Sequence, residues 1–126
     1  MSNRNTIVTV RWEYYAASQH YNSRIIPFYA FSRGGNLLYI GMTYEQEIGA
    51  EINASIRRLG LNRIGLAIHV GAVNYEKSDI QRVTKQLVKD CECLMIYNYQ
   101  PVENTQCKQA YTGRTGLRVK HQNAPF

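Results

Sequence analysis

Apolar and polar positions alternate with a period of two from Ile7 to Trp12. Ile7, Thr9 and Arg11 fall on one face and Val8, Val10 and Trp12 on the other, which predicts a strand. Ala16 to Arg24 is polar and predicts a loop. Two short apolar runs follow, Ile25 to Phe31 and Leu37 to Met42, separated by Ser32-Arg-Gly-Gly-Asn36. Glycines there supply positive backbone angles, so the two runs predict a β-hairpin. Pro27 lacks an N–H and puts its side of the strand at an edge or a bulge.

The period then changes. Ile48, Ile52, Ile56 and Leu59 recur at helical spacing, and Thr43-Tyr-Glu-Gln46 matches a capping box. Tyr44 to Leu59 therefore predicts a helix that stops before Gly60. Ile64 to Val73 is apolar on both faces, as a covered central strand is. Ser78-Asp-Ile-Gln81 is a second capping box. It opens a helix with Ile80, Val83, Leu87, Val88, Cys91, Leu94 and Met95 on its buried stripe, and Pro101 prevents further helix. Lys108 to His121 is basic and glycine-bearing: a loop plus an edge strand, or a tail that orders on a partner.

The order β, β-hairpin, α, β, α, tail predicts an α/β (α+β) fold, a small sandwich of helices on a mostly antiparallel sheet. The 126 residues suit one domain, 1–126, with an N-terminal strand extension over about 1–24 and a basic C-terminal tail over about 105–126. No apolar run approaches the roughly 20 residues that span a bilayer. The first ten residues lack the apolar block of a signal peptide. Cys91, Cys93 and Cys107 are an odd, small set, which predicts no disulfide scaffold and a reducing, cytoplasmic setting.

Charge narrows the function. Fifteen Lys and Arg against nine Asp and Glu give +6, a balance suited either to a polyanion such as nucleic acid or to solubility alone. Ten tyrosines add rings that can stack on bases, though strand packing uses them as well. In the hairpin, a five-residue loop would set Tyr29 opposite Tyr39 on one face. A two-residue Gly-Gly turn would shift the register by one and put them on opposite faces. Glu92 lies in an apolar stretch, where a carboxylate acts as an acid or base, ligates Mg²⁺, or reaches out to solvent from the rim. Cys91 and Cys93 would point about 200° apart on a helix, so they read as core residues and not as a metal pair. His69 reads as a hydrogen-bonded interior histidine or a site residue. The chain has no Walker loop, dinucleotide fingerprint or Ser-His-Asp order.

Together these features resemble the GIY-YIG nuclease superfamily. Tyr39-Ile40-Gly41 is its intact second motif, and Tyr29 is the tyrosine of a first motif in which Phe28 replaces the usual aliphatic residue. Glu92 is followed by Pro101 and Asn104, as the family's helical glutamate is followed by a proline and an asparagine. The match runs from about Pro27 to Asn104. It implies a metal-dependent endonuclease that hydrolyses phosphodiester bonds, with DNA favoured over RNA, and with one Mg²⁺ or Mn²⁺ held by Glu92. By the same resemblance Tyr29 helps deprotonate the attacking water and Tyr39 positions phosphate or water.

The family's first-helix arginine would fall at Gly49, Ala50 or Glu51 and is missing, as is the histidine one turn later. The nearest arginines, Arg57 and Arg58, lie two helical turns on, about 11 Å and beyond an arginine's comfortable reach. Either the helix geometry differs and Arg57 takes the catalytic role, another cation such as Arg33 or Arg114 substitutes, or the site is disabled. Arg33, Arg58, Asn104, Lys108, Arg114, Arg118 and Lys120 are the nucleic-acid-binding candidates. The alternative is a catalytically silent fold that binds nucleic acid or acts as an inhibitor.

Overall fold

The structure, a computed structural model, describes residues 6–23, 25–77 and 84–126. Five strands and two helices are formed: β1 (Thr6–Tyr14), β2 (Phe28–Arg33), β3 (Asn36–Met42), α1 (Ile48–Leu59), β4 (Ala67–Lys77), α2 (Lys85–Tyr99) and β5 (Leu117–Gln122). The strands make one sheet in the order β3-β2-β4-β1-β5. The α+β class follows the sequence expectation. The sheet is mixed, however: β5 runs parallel to β1, while the other neighbours are antiparallel. The basic tail is thus built into the sheet as its far edge. Leu117 and Val119 alternate inward there, and Trp12 donates its indole N–H to His121 Nδ1 at 3.0 Å.

Strand periodicity divides the side chains between two cores. Val8, Val10, Trp12, Phe28, Ala30 and Ile40 pack with Leu87, Val88, Cys91 and Met95 of α2 on one face. Tyr29, Phe31 and Val70 pack with Ile48, Ile52 and Ile56 of α1 on the other. β4 lies between β2 and β1, as its doubly apolar sequence requires, but starts at Ala67 and not at Ile64.

Two helix starts differ from expectation. Thr43 does not cap α1; Glu45 adopts φ 62°, outside the helical region, and the helix waits for Glu47. That carboxylate accepts from the backbone N–H of Gly49 at 2.9 Å and of Ala50 at 2.7 Å. The capping box at Ser78–Gln81, with Ile80 and Val83, lies outside the described residues. The described α2 is capped by Thr84, whose hydroxyl accepts from Leu87 N–H. The cysteine expectation also fails. The loop after α2 folds back along the helix and pairs Cys93 with Cys107, so the cysteine count no longer argues for a reducing compartment. Cys91 is the buried core residue expected of it. His69 is buried against Tyr14, and among the described residues its Nδ1 has no hydrogen-bond partner.

The hairpin resolves the register question in an unexpected way. Gly34 and Gly35 both have positive φ and form a two-residue turn, with Arg33 opposite Asn36. A bulge between Phe31 and Ser32 then restores the lost residue. Phe31 faces Tyr39 and Tyr29 faces Gly41, so both tyrosines stay on the α1 face, their ring centroids 6.1 Å apart.

Gly41 is needed for close approach. A Cβ there would overlap Cζ and the hydroxyl of Tyr29 and stand 2.7 Å from its Cε2. Gly41→Ala should therefore destabilise the fold by about 1–3 kcal/mol or more through overpacking. In a double-mutant cycle by chemical denaturation, Tyr29→Leu should recover much of that loss. Additive losses would mean that the ring does not rest on Gly41.

Candidate functional site

On α1, Glu51, Ser55 and Arg58 stand at i, i+4 and i+7, one face of the helix beside the isoleucine stripe. That face meets the two tyrosines. The Tyr29 hydroxyl lies 2.6 Å from Ser55 Oγ and donates to Glu51 Oε1 at 3.1 Å. Ser55 Oγ also lies 3.3 Å from Glu51 Oε1. Arg58 Nη2 donates to Ser55 Oγ at 3.2 Å and to the Tyr39 hydroxyl at 3.1 Å. Its guanidinium carbon lies 5.9 Å from the centre of the Tyr39 ring. A continuous hydrogen-bonded chain therefore runs Glu51–Tyr29–Ser55–Arg58–Tyr39.

This geometry corrects the reach argument made from the helix alone. Tyr39 faces Phe31, not Tyr29, and so sits nearer the hairpin turn. That displacement carries it along the C-terminal half of α1, to Arg58. Arg57 points to solvent and is absent from the cleft wall.

The cleft, about 400 Å³, opens at the β3 edge of the sheet, where the α1 and α2 layers come together. Its wall includes Tyr39, Arg58, Glu92, Glu103, Asn104 and Cys107. Residues 101–107 close the edge. Val102 N–H donates to Leu37 O at 3.3 Å and Glu103 N–H to Leu38 O at 2.7 Å. Asn104 completes the seam: its Oδ1 accepts from Ile40 N–H at 3.0 Å and its Nδ2 donates to Ile40 O at 2.9 Å. The buried Asn104 amide thus holds β3, with both ends occupied.

Glu92 stands beside the buried stripe of α2. Its side chain is only 14% exposed, and Lys89 Nζ is 3.8 Å away. Burial pushes its carboxyl up to about 7; Lys89 opposes the shift and Glu51 adds to it. Burial also raises the Tyr39 hydroxyl, with Arg58 opposing. Tyr29, 1% exposed, is raised further, again by burial. Neither phenol ionises near neutrality, so each is a donor and not a base.

Of the sequence-derived candidates, the structure brings Tyr39, Glu92, Arg58 and Asn104 to one cleft. Tyr29 lies behind it, tied to α1. Arg33 donates to Asn62 O, Lys108 to Pro101 O at 2.6 Å, and Arg114 to Thr6 Oγ1 at 3.0 Å. Arg118 and Lys120 lie on β5, away from the cleft. Glu51, Ser55 and Glu103 escaped the sequence reading. The i, i+4, i+7 spacing from Glu51 to Arg58 was the available signal.

Among the described residues no group of three or more His, Cys, Asp or Glu is placed to hold a metal ion. Mg²⁺ needs fewer protein ligands: one or two carboxylates, with water completing the shell. Glu92 is the carboxylate of α2 on the cleft wall that could serve as such a ligand. No family model, curated protein or solved structure matches the chain. No helix of the described residues is long and apolar enough to cross a membrane.

Glu92 also makes a pH prediction. Its folded-state value lies above the ordinary 4.5, so folding takes up a proton between the two values. Stability should therefore fall as pH rises from about 4.5 to about 7, by up to about 3 kcal/mol in EDTA. Glu92→Gln should flatten that part of the stability–pH curve, measured by urea denaturation. Identical slopes for the two proteins would show that Glu92 is not held protonated.

Proposed function

We propose that the chain is a divalent-metal-dependent endonuclease acting on the phosphodiester bonds of nucleic acid, DNA before RNA. One observation carries this reading: Tyr39 from β3, Arg58 from α1 and Glu92 from α2 line a single polar cleft. The resemblance to the GIY-YIG nucleases supports the roles of Tyr39 and Glu92.

Arg58 is the anion-binding group. Its fork of N–H donors matches phosphate oxygens. By donating to the Tyr39 oxygen it leaves the phenolic proton available for a phosphate oxygen or the attacking water. Tyr29 positions Arg58 through Ser55 and touches no substrate in this scheme. Glu92 would hold Mg²⁺ or Mn²⁺, which when bound supplies Lewis-acid polarisation of the phosphate.

A second reading is a silent fold that binds nucleic acid without cutting it. It is favoured by Glu51, which stands where the family has its arginine, and by the closed-off Tyr29 hydroxyl.

A plasmid-nicking assay with Mg²⁺, Mn²⁺ or EDTA separates the two. Cleavage should require the metal and disappear in Glu92→Gln, while binding persists. Arg58→Ala should cost about a hundredfold or more in rate, the scale of a lost transition-state contact. Arg57→Ala should stay within a few-fold of wild type. Tight binding with no cleavage of single- or double-stranded DNA or RNA under any divalent metal would leave the silent fold.

A further inference from the structure

α1 covers only the β3–β2–β4 half of its sheet face. On the remaining half, strand alternation places Thr9 and Arg11 of β1 beside Arg118, Lys120 and Gln122 of β5. Arg11, Arg118, Lys120 and Gln122 are exposed, whereas Leu117, Val119 and His121 turn to the opposite, apolar side. This surface stands at the edge of the sheet opposite the β3-edge cleft, with α1 between them. Arg11 faces Ala72 of β4, Glu13 faces Val70, and Val70 faces Tyr29, so all lie on one face of one sheet.

We propose that this β1–β5 face binds the phosphate backbone of a DNA duplex. The choice of DNA rests on the reading given under Proposed function. Charge complementarity selects the occupant. Three cations project from two adjacent strands, and among the described residues of this face Glu13 is the acid near their far end. Arg118 and Lys120, two residues apart on β5, stand about 6.6 Å from each other, comparable to successive phosphates on one strand.

Beside them a hollow of about 330 Å³ is walled by Thr9, Arg11, Asn74 and Gln122 with Ile25 and Ala72. Arginine and amide groups around a small hollow suit a phosphate oxygen. Among the described residues this face carries no exposed aromatic ring; exposed Tyr14 belongs to the other face, against His69. It therefore lacks the stacking platform that unpaired bases use, which favours a duplex over a single strand.

The test is fluorescence anisotropy of a labelled DNA duplex across a salt series, for wild type, Arg11→Gln/Arg118→Gln/Lys120→Gln and Arg57→Gln, in EDTA. Thermal melts establish that the triple variant is folded; Arg118→Gln/Lys120→Gln serves if it is not. Each lost phosphate contact lowers the slope of log K against log salt by about 0.9, so the triple variant should lose about 2 to 3 and bind about tenfold or more weakly. Arg57→Gln, which removes an exposed cation of α1 outside this face, should keep the wild-type slope.

An unchanged slope in the folded triple variant overturns the proposal, even if the protein cleaves DNA. So does binding confined to an RNA duplex or to poly-glutamate. A reduced slope in a protein that never cleaves upholds this surface while the nuclease reading fails.

Discussion

The arrangement of this molecule depends on the Tyr29 ring resting on the bare backbone of Gly41. With no side chain beneath it, the phenol lies low on the sheet and its hydroxyl reaches α1 at Ser55 and Glu51. A buried hydroxyl without a partner costs free energy, so these bonds fix where α1 sits as well as what it touches. The isoleucine stripe supplies most of the packing, and the hydroxyl sets the rotation and height of the helix. Arg58, one turn beyond Ser55, then meets Tyr39.

The second constraint is at the β3 edge. An unpaired edge exposes backbone groups that must find partners. Here residues 101–107 satisfy them, and the Asn104 amide copies a strand partner at Ile40. The same seam forms one wall of the cleft and brings Glu103 to the mouth that Glu92 lines from α2. The cleft is thus a consequence of how two helices on opposite faces and one loop close the sheet. Its partial dryness is what holds the Glu92 carboxyl near neutrality, able to carry a proton in the free protein and able to ionise against a cation.

The sequence displayed what is periodic and local. The alternation at β1, the glycine-rich hairpin, the isoleucine stripe of α1 and the stop at Pro101 correspond to elements of the fold. It concealed what depends on partners. The bulge that returns Tyr39 to the face of Tyr29 has no local signature beyond the glycines. Thr43 looked like a cap because the positive φ of Glu45 cannot be read from Glu itself. Cys93 and Cys107 meet only because the loop folds back along α2. Tyr39 and Glu92 could be singled out by type and surroundings. Arg58 could not be preferred over Arg57 from a helix considered alone, because the choice rests on how far β3 is displaced along α1.

If Tyr39, Arg58 and Glu92 act on one phosphate in one cleft, anomalous diffraction from a crystal of the protein with Mn²⁺ and an uncleavable DNA duplex should show a Mn²⁺ peak at the Glu92 carboxylate. A backbone phosphate should touch both the Arg58 guanidinium and the Tyr39 hydroxyl. A metal bound elsewhere, or a duplex whose phosphates avoid this cleft, would contradict that joint action.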